Sequence, residues 1–302
     1  MKGKQVKLSE INQISRPADM IIKLVFTAVV GATCIYPLLM VIGSSLTDNM
    51  EILRHGYNIV PRVVSFEAYK YVLFKSGKLL RSYGVTILTT AVGTFLGVLM
   101  MSMYAYPISR KDLKYRKFFS LFAYVTFVFS GGLVPFYFVY SRLLDLTNNL
   151  WVMIMPYLVD VWYIVILRTF FAGAVPPDII QAAKIDGAGE LRIFFSIVTR
   201  MAIPGIATVA LFTTLKYWND FQLPLYFIED SKKFNIQYML YRIMANMEFL
   251  AQDTHSVRLS GILPVESARM AMCVLGTGPM LIAYPFFQKY FIKGLTMGAV
   301  KG

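Results

Sequence analysis

The chain has 302 residues, of which 57% are hydrophobic and only 16% are charged. Soluble globular proteins average roughly 45–50% apolar and about 25% charged residues, so this composition excludes a disordered or fibrous chain and argues against an ordinary soluble enzyme. The net charge is +13. Its basic residues sit in short segments between apolar stretches, which is typical of a polytopic membrane protein rather than of nucleic-acid binding.

Six stretches are long enough to cross a bilayer, which requires roughly 20 mostly apolar residues for each helix. Four of them contain no charged residue, at 24–47, 82–109, 118–141 and 270–288. Two carry charges within them, at 150–171 and 201–226. The sequence therefore predicts an all-α, polytopic membrane protein with six transmembrane helices.

The loop charges predict the orientation, because cytoplasmic loops are enriched in Lys and Arg. With the N-terminus inside, the inner segments hold a modest excess of Lys and Arg over the outer segments. Most of it comes from the cluster Arg110, Lys111, Lys114, Arg116 and Lys117. We expect both termini in the cytoplasm, with a tail over 1–23, a membrane domain over 24–291 and a second tail over 292–302.

The cytoplasmic segment 175–198 lies between the fourth and fifth predicted spans. Asp178 follows two prolines and precedes Gln181 by three residues, a spacing that predicts a helix N-cap with its capping-box partner. Asp186 and Gly187 predict a turn, with a positive φ at the glycine.

A second, amphipathic helix is predicted after this turn. Leu191, Phe194, Phe195 and Val198 are spaced as one apolar stripe on a helix. A helix–turn–helix at this position suits docking to a cytoplasmic partner whose motion would move the flanking spans. The alternative is an interfacial helix that lies on the bilayer.

Four stretches of the sequence, in chain order, resemble the permease subunits of ABC importers. Residues 181–188 (QAAKIDGA), followed by Ile203 and Pro204, resemble the EAA loop of this family. Three more resemble its carbohydrate branch, which includes the smaller maltose-importer permease and permeases of complex-oligosaccharide and alginate-type importers: 129–135 (FSGGLVP), 218–221 (WNDF) and 291–302 (FIKGLTMGAVKG). The family usually has Glu where this chain has Gln181, so a charged contact with the ATPase is replaced by a weaker neutral one.

The resemblance implies a type I ABC-importer permease fold in a bacterial inner membrane. Its expected partners are a second permease subunit, two ATPase subunits that bind ATP and Mg, an extracytoplasmic solute-binding protein, a saccharide and the lipid bilayer. Segment 175–198 would be the coupling helix. The residues that would contact the ATPase are Gln181, Ala182, Ala183, Asp186, Gly187, Ala188 and Leu191.

Charged residues within the spans are candidates for the substrate path, because each costs roughly 2.5–3.5 kcal/mol on insertion scales and usually faces protein or water. Asp160 lies midway along the fourth predicted span. Lys216 and Asp220 lie one helical turn apart in the fifth, near Trp218 and Asn219. We expect these residues to line the path. Alternatively, Lys216 and Asp220 pair with each other and reach outward.

The outer loop 227–269 would, by the resemblance, contact the binding protein through Tyr238, Tyr241 and Arg242. Basic residues at outer positions would suit an anionic saccharide such as a uronate chain. These residues are Arg142, Lys216, Arg242 and Arg258. Generic surface charge is the simpler explanation of these residues.

Motifs for catalysis, metal binding and ATP binding are absent from the sequence. It contains neither a G-x-x-x-x-G-K-[ST] nor an H-E-x-x-H motif, and its two histidines, His55 and His255, stand apart. We expect no catalytic residue, no metal site and no cofactor in this chain. The competing hypotheses are an ion-coupled secondary transporter, which usually has internal repeats and acidic residues at the midplane, and an integral membrane enzyme, which would need a polar catalytic cluster.

Overall fold

The computed structural model describes residues 17–74, 79–252 and 264–299, and most of them are helical. In chain order the α-helices of these residues are α1 (Pro17–Ser45), α2 (Asn49–His55), α3 (Glu67–Phe74), α4 (Leu79–Ser109), α5 (Arg116–Val128), α6 (Leu133–Phe138), α7 (Val161–Ala174), α8 (Pro177–Ile185), α9 (Glu190–Ile193), α10 (Thr199–Met201), α11 (Ile203–Trp218), α12 (Gln222–Phe227), α13 (Ile236–Gln252) and α14 (Val265–Ala299). The π turns are Val139–Leu143 and Phe194–Val198, and the 3-10 turns are Leu150–Met153, Met155–Tyr157 and Ser231–Lys233.

The described residues fall into two compact units. The first holds 17–72 and 264–274. Its loop side chains cap the start of α14: the Asn49 Oδ1 accepts hydrogen bonds from the backbone N–H groups of Glu266 and Ser267 at 2.9 and 3.4 Å. The Tyr57 hydroxyl donates to the Glu266 carboxylate at 2.7 Å. In α1, none of the most apolar window is buried by the described residues, which leaves its side chains available to lipid.

The second unit holds 73–252, apart from 75–78, and 275–299. Its centre is α4, which packs chiefly against α7 and α11. Small residues on α4 permit this close approach, since a Cβ added at Gly93 would lie 2.4 Å from the Tyr217 ring. The buried core includes Met101, Ala105, Ile164, Leu167, Phe171 and Val209. This core continues without a break into the segment between α7 and α11.

Two described helices are long and apolar enough to cross a bilayer unbroken, namely α1 and α4. Up to three more spans result if each of three bent pairs counts as one: Arg116–Val128 with Leu133–Leu143, Leu150–Tyr157 with Val161–Ala174, and Glu190–Met201 with Ile203–Trp218, bent by 107°, 50° and 84°. The sixth predicted window falls within α14. The count of six therefore stays a prediction.

Two sequence expectations are wrong in their local structure. The stretch 118–141 is not one helix, because it breaks between Val128 and Leu133, where Gly132 has a φ of +82°. The stretch 227–269 is not simply a loop, because it contains the 17-residue helix α13. Part of that stretch, with His255 and Arg258, lies outside the described residues.

Candidate functional site

A short helix, α8, opens the segment that the sequence assigns to partner docking. It begins at Pro177 rather than after Asp178, and its N-cap, Pro176, makes no side-chain capping hydrogen bond. The predicted Asp178–Gln181 capping box is therefore wrong. A proline suits the first helical position, because its missing N–H would be unpaired there in any case. Asp178 lies in the first turn instead, where its carboxylate favours the positive end of the helix dipole.

The turn after α8 is confirmed. Gly187 has a φ of +78°. Its N–H donates to the Lys184 carbonyl at 3.0 Å, and the Ala188 N–H donates to the Ala183 carbonyl at 2.9 Å. This pair of bonds is a Schellman motif, which ends a helix and satisfies its last carbonyl groups. The chain therefore turns sharply between α8 and the residues that follow it.

The second arm consists of α9, the π turn and α10. Its predicted single apolar stripe is wrong, since Phe194 and Val198 are buried while Leu191 and Phe195 are 65% and 50% exposed. A π turn closes with hydrogen bonds from residue i+5 to residue i and holds more residues than an α turn, so it shifts the side chains that follow. Ile193 and Val198, five residues apart, are both fully buried.

The outward surface of this segment combines small, apolar and charged residues. Ala183 is buried and Ala188 is half-buried, so both pack inward. Among the predicted contact residues the exposed ones are Gln181, Ala182, Asp186, Gly187 and Leu191. Ile185, which the sequence did not single out for contact, is 87% exposed. The surface therefore offers apolar side chains beside charged ones, since Lys184, Glu190 and Arg192 are exposed as well.

Four charged side chains join α8 and α9 to the loop after α4. Lys184 Nζ lies 3.0 Å from a carboxylate oxygen of Glu190 and 3.7 Å from one of Asp112. Arg110 pairs with both of the same carboxylates, and its guanidinium also donates to the Tyr106 hydroxyl at 3.1 Å. We refer to Arg110, Asp112, Lys184 and Glu190 as the charge ring.

The charge ring stabilises the ionised state of its own carboxylates. The hydrogen bond from Arg110 lowers the pKa of Asp112, against a smaller opposing effect of partial burial. For Glu190, partial burial opposes ionisation, but hydrogen bonds from Lys184 and Arg110 outweigh it and the pKa is lowered. Both carboxylates therefore stay charged throughout the physiological pH range.

A second polar group lies where the 150–157 turns meet α7. Asp160 caps α7 by accepting from the Trp162 N–H at 3.0 Å, and its other oxygen pairs with Lys216 Nζ at 2.8 Å. The same Nζ lies 4.6 Å from the centroid of the Tyr157 ring. Lys216 thus pairs with Asp160 rather than with Asp220, and about a third of its side chain remains exposed.

The other predicted path residues are held by local bonds. Asp220 is 8% exposed and accepts from the Tyr157 hydroxyl at 3.1 Å and from backbone N–H groups at the start of α12. Trp218 is 5% exposed, and its indole N–H donates to the Gly276 carbonyl at 2.8 Å. Asn219 is exposed. Of the five, Asp160, Lys216 and Asn219 are therefore the ones accessible to a solute.

The residues predicted to contact a binding protein lie on α13. Tyr238 is buried against Phe234, with ring centroids 4.7 Å apart. Tyr241 is about half exposed and stacks on Phe221 at 5.4 Å. The exposed Arg242 lies 5.1 Å above the Phe234 ring. Tyr241 and Arg242 thus offer the accessible surface, supported by Tyr238 and Phe234.

Residues 82–297 match the family model described as the binding-protein-dependent transport system inner membrane component. The chain belongs to this family. The match spans all the residues of both polar groups and of the 177–201 segment. The permease is therefore a membrane component of a transport system.

Two curated relatives cover most of the permease. It is 33% identical to the polygalacturonan/rhamnogalacturonan transport system permease protein YtcP of Bacillus subtilis, over 92% of this chain and 96% of that one. It is 27% identical to the arabinooligosaccharides transport system permease protein AraQ of Halalkalibacterium halodurans, over 91% and 94% of the two chains. Both relatives match along nearly their whole length.

A solved structure has the same fold. It is the crystal structure of a bacterial ABC transporter involved in the import of the acidic polysaccharide alginate. One of its chains superposes with a TM-score of 0.77 at 24% sequence identity, covering 92% of this permease and 99% of that chain. The helical arrangement described above is therefore a fold already known from a chain of an ABC transporter.

Sequence reasoning missed two features of the permease. Tyr157 contacts both Lys216 and Asp220, yet its position gave no signal. The charge ring was also missed, although one clue was present: Lys184 and Glu190 have opposite charges and flank the predicted turn at Gly187, which brings them together.

Proposed function

We propose that this permease is one of two membrane subunits of an ATP-driven importer of oligo- or polysaccharides. The helix–glycine turn–helix at 177–201, in a chain of the binding-protein-dependent family, carries this proposal. Two ATPase subunits would bind ATP and Mg, and an extracytoplasmic binding protein would deliver the saccharide. The permease itself would be neither an enzyme nor a nucleotide-binding chain.

The segment 175–198 is proposed to seat on an ATPase subunit. Its outward residues support this, because Ile185 and Leu191 expose apolar side chains where an isolated soluble surface would be polar. Gln181, Ala182, Asp186 and Gly187 complete the proposed contact. Ala183 and Ala188 would contribute indirectly, because they pack the segment against the core.

The saccharide is proposed to include acidic, uronate-containing chains. Polygalacturonan and alginate, which occur in the names of the relative and of the structural neighbour, are polymers of uronic acids, whereas the other relative is named for arabinooligosaccharides. Lys216 is partly exposed and paired with one carboxylate, Asp160. A substrate carboxylate could exchange with Asp160 at Lys216 without leaving the ammonium unpaired. Asn219 would contribute a neutral hydrogen-bonding group to the same path.

The binding protein is proposed to dock on the outer side through Tyr241 and Arg242, with Tyr238 as support. We further propose that both termini lie in the cytoplasm of a bacterial cell, with the tails 1–23 and 292–302 flanking the membrane domain 24–291. This orientation puts the 175–198 segment on the side of ATP.

Reconstitution of the complete transporter in liposomes tests the proposal. The two permeases, the ATPase pair and the binding protein are assembled, and uptake of a uronate oligosaccharide is compared with that of a neutral one of equal length. We expect uptake that requires both hydrolysable ATP and the binding protein, and that is faster for the uronate chain. Equal rates would remove the acidic specificity. Uptake driven by an ion gradient without ATP would replace the proposal with ion-coupled transport.

A further inference from the structure

The charge ring alternates in sign around its circuit. Arg110 and Lys184 each contact both Asp112 and Glu190. Two positive and two negative groups leave no net charge, and each carboxylate has two cationic partners. A docking ATPase therefore meets Lys184 and Glu190 already paired within this chain.

The charge ring joins elements that are remote in sequence. Arg110 and Glu190 lie 80 residues apart. The backbone connects α7 and α11 to the 175–198 segment, so both helices would move when the segment moves. α4 is not adjacent to the segment in the chain. Its cytoplasmic end is therefore held to the segment by side-chain contacts.

Tyr106, near the end of α4, adds an apolar contact to this ionic one. Its ring packs edge-on against Phe171 at the end of α7, with centroids 6.3 Å apart, and lies 5.5 Å from Phe194 in the second arm. Its hydroxyl lies 3.4 Å from a Glu190 oxygen and accepts from Arg110. Tyr106 is 6% exposed, so it has little freedom to move independently. The ring of charges and the aromatic contact thus act on the same end of α4.

We infer that the charge ring locks the cytoplasmic end of α4 to the coupling segment, and that Arg110 is a positioning residue for coupling. Arg110 is the most buried member, with 11% of its side chain exposed, and it is the member bonded to Tyr106 as well as to both carboxylates. Movement of α8 and α9 by a partner would then carry α4, the central helix of the unit, along with α7 and α11. This inference rests on the proposed function, since it needs a partner that moves the segment.

The test uses the complete reconstituted transporter with Arg110→Gln, Glu190→Gln and the double variant. Lys111→Gln is the matched control, because Lys111 is exposed beside Arg110, lies outside the proposed docking segment and makes no hydrogen bond or ion pair with the described residues. We expect ATP hydrolysis to continue while saccharide transported per ATP falls roughly twofold to fivefold, the range for exposed ion pairs. The double variant should fall no further than the worse single variant, since both break one link. A purely structural role would lower hydrolysis and transport together.

Spin labels measure the link directly. Lys111→Cys and Ser196→Cys, both exposed, are labelled after Cys34 and Cys273 are replaced by alanine. With the charge ring intact, the distance between labels should be equal in nucleotide-free and vanadate-trapped complexes, and it should change between these states in Glu190→Gln. A changing distance with the intact charge ring, or variants that behave like Lys111→Gln, would overturn the inference. Absence of ATP-driven uptake in the unsubstituted complex would instead overturn the proposed function.

Discussion

Gly187 and Gly189 are two residues apart and differ in backbone conformation. A Cβ added at either position would meet no atom within 4 Å. Gly187 has a φ of +78°, whereas Gly189 has a φ of −69°, which any residue adopts. Steric space is thus equal at the two sites; Gly187 needs the left-handed conformation, whereas Gly189 is the N-cap of α9 in an ordinary extended conformation.

Replacement of Gly187 by alanine should therefore impair coupling more than Gly189→Ala, which only weakens an N-cap. An L-residue in the left-handed region costs about 1–2 kcal/mol, which shifts the population of the native turn roughly fivefold to thirtyfold. Transport per ATP in the reconstituted complex measures the effect. Gly187→Asn should retain more activity than Gly187→Ala, because asparagine tolerates this conformation. Equal activity of the two alanine variants would show that the turn does not matter.

At the scale of single residues, the sequence predicts those features that depend on residues nearby in the chain. The Asp186-Gly187 turn is such a feature. Asp178 failed as a cap because Pro177 already satisfies the first helical position. The Asp160–Lys216 ion pair could not be predicted in this way, because it joins residues 56 positions apart and depends on how α7 packs beside α11.

At the scale of the elements, α4 and α11 are in close contact at Gly93. The Tyr217 ring fills the space that a side chain at position 93 would occupy. Tyr217 has little room to withdraw, because its hydroxyl donates to the buried Ile154 carbonyl at 2.8 Å. Gly84, on the same helix, would place a Cβ in open space.

Gly93→Ala should therefore destabilise the assembled permease, by about 1–3 kcal/mol as for other overpacked cores. Gly84→Ala should leave stability unchanged or raise it, since alanine is the better helix former. The unfolding midpoint of the purified complex in detergent measures both variants. A loss of stability in Gly84→Ala equal to that in Gly93→Ala would attribute the effect to helix chemistry rather than to the Tyr217 contact.

Element boundaries follow the sequence well only where the apolar run is uninterrupted. The windows 24–47 and 82–109 each fall on one helix, α1 and α4. At Gly131-Gly132 the helix breaks and changes direction, whereas α14 continues through Pro279 and Pro285. Hydropathy counts apolar residues along the chain, but a bend depends on which backbone groups find partners elsewhere.

On the scale of the whole molecule, the bent helix pairs determine how often the chain crosses the bilayer. The pair Arg116–Val128 and Leu133–Leu143 is bent by 107°. Such a pair either crosses the membrane as a broken span or turns back as a re-entrant loop. The two cases place everything after residue 143 on opposite sides, so the orientation of the proposed coupling segment depends on this bend.

Thiol labelling decides between the two cases, because the exposed positions Lys111 and Arg142 bracket the bent pair. After Cys34 and Cys273 are replaced by alanine, Lys111→Cys and Gln181→Cys should react with a membrane-impermeant reagent only in inverted vesicles. Arg142→Cys should react only in right-side-out vesicles, since a span that crosses puts its ends on opposite sides. Labelling of Lys111→Cys and Arg142→Cys from the same side would make the pair re-entrant. If Gln181→Cys were labelled from outside, the 175–198 segment could not meet an ATPase.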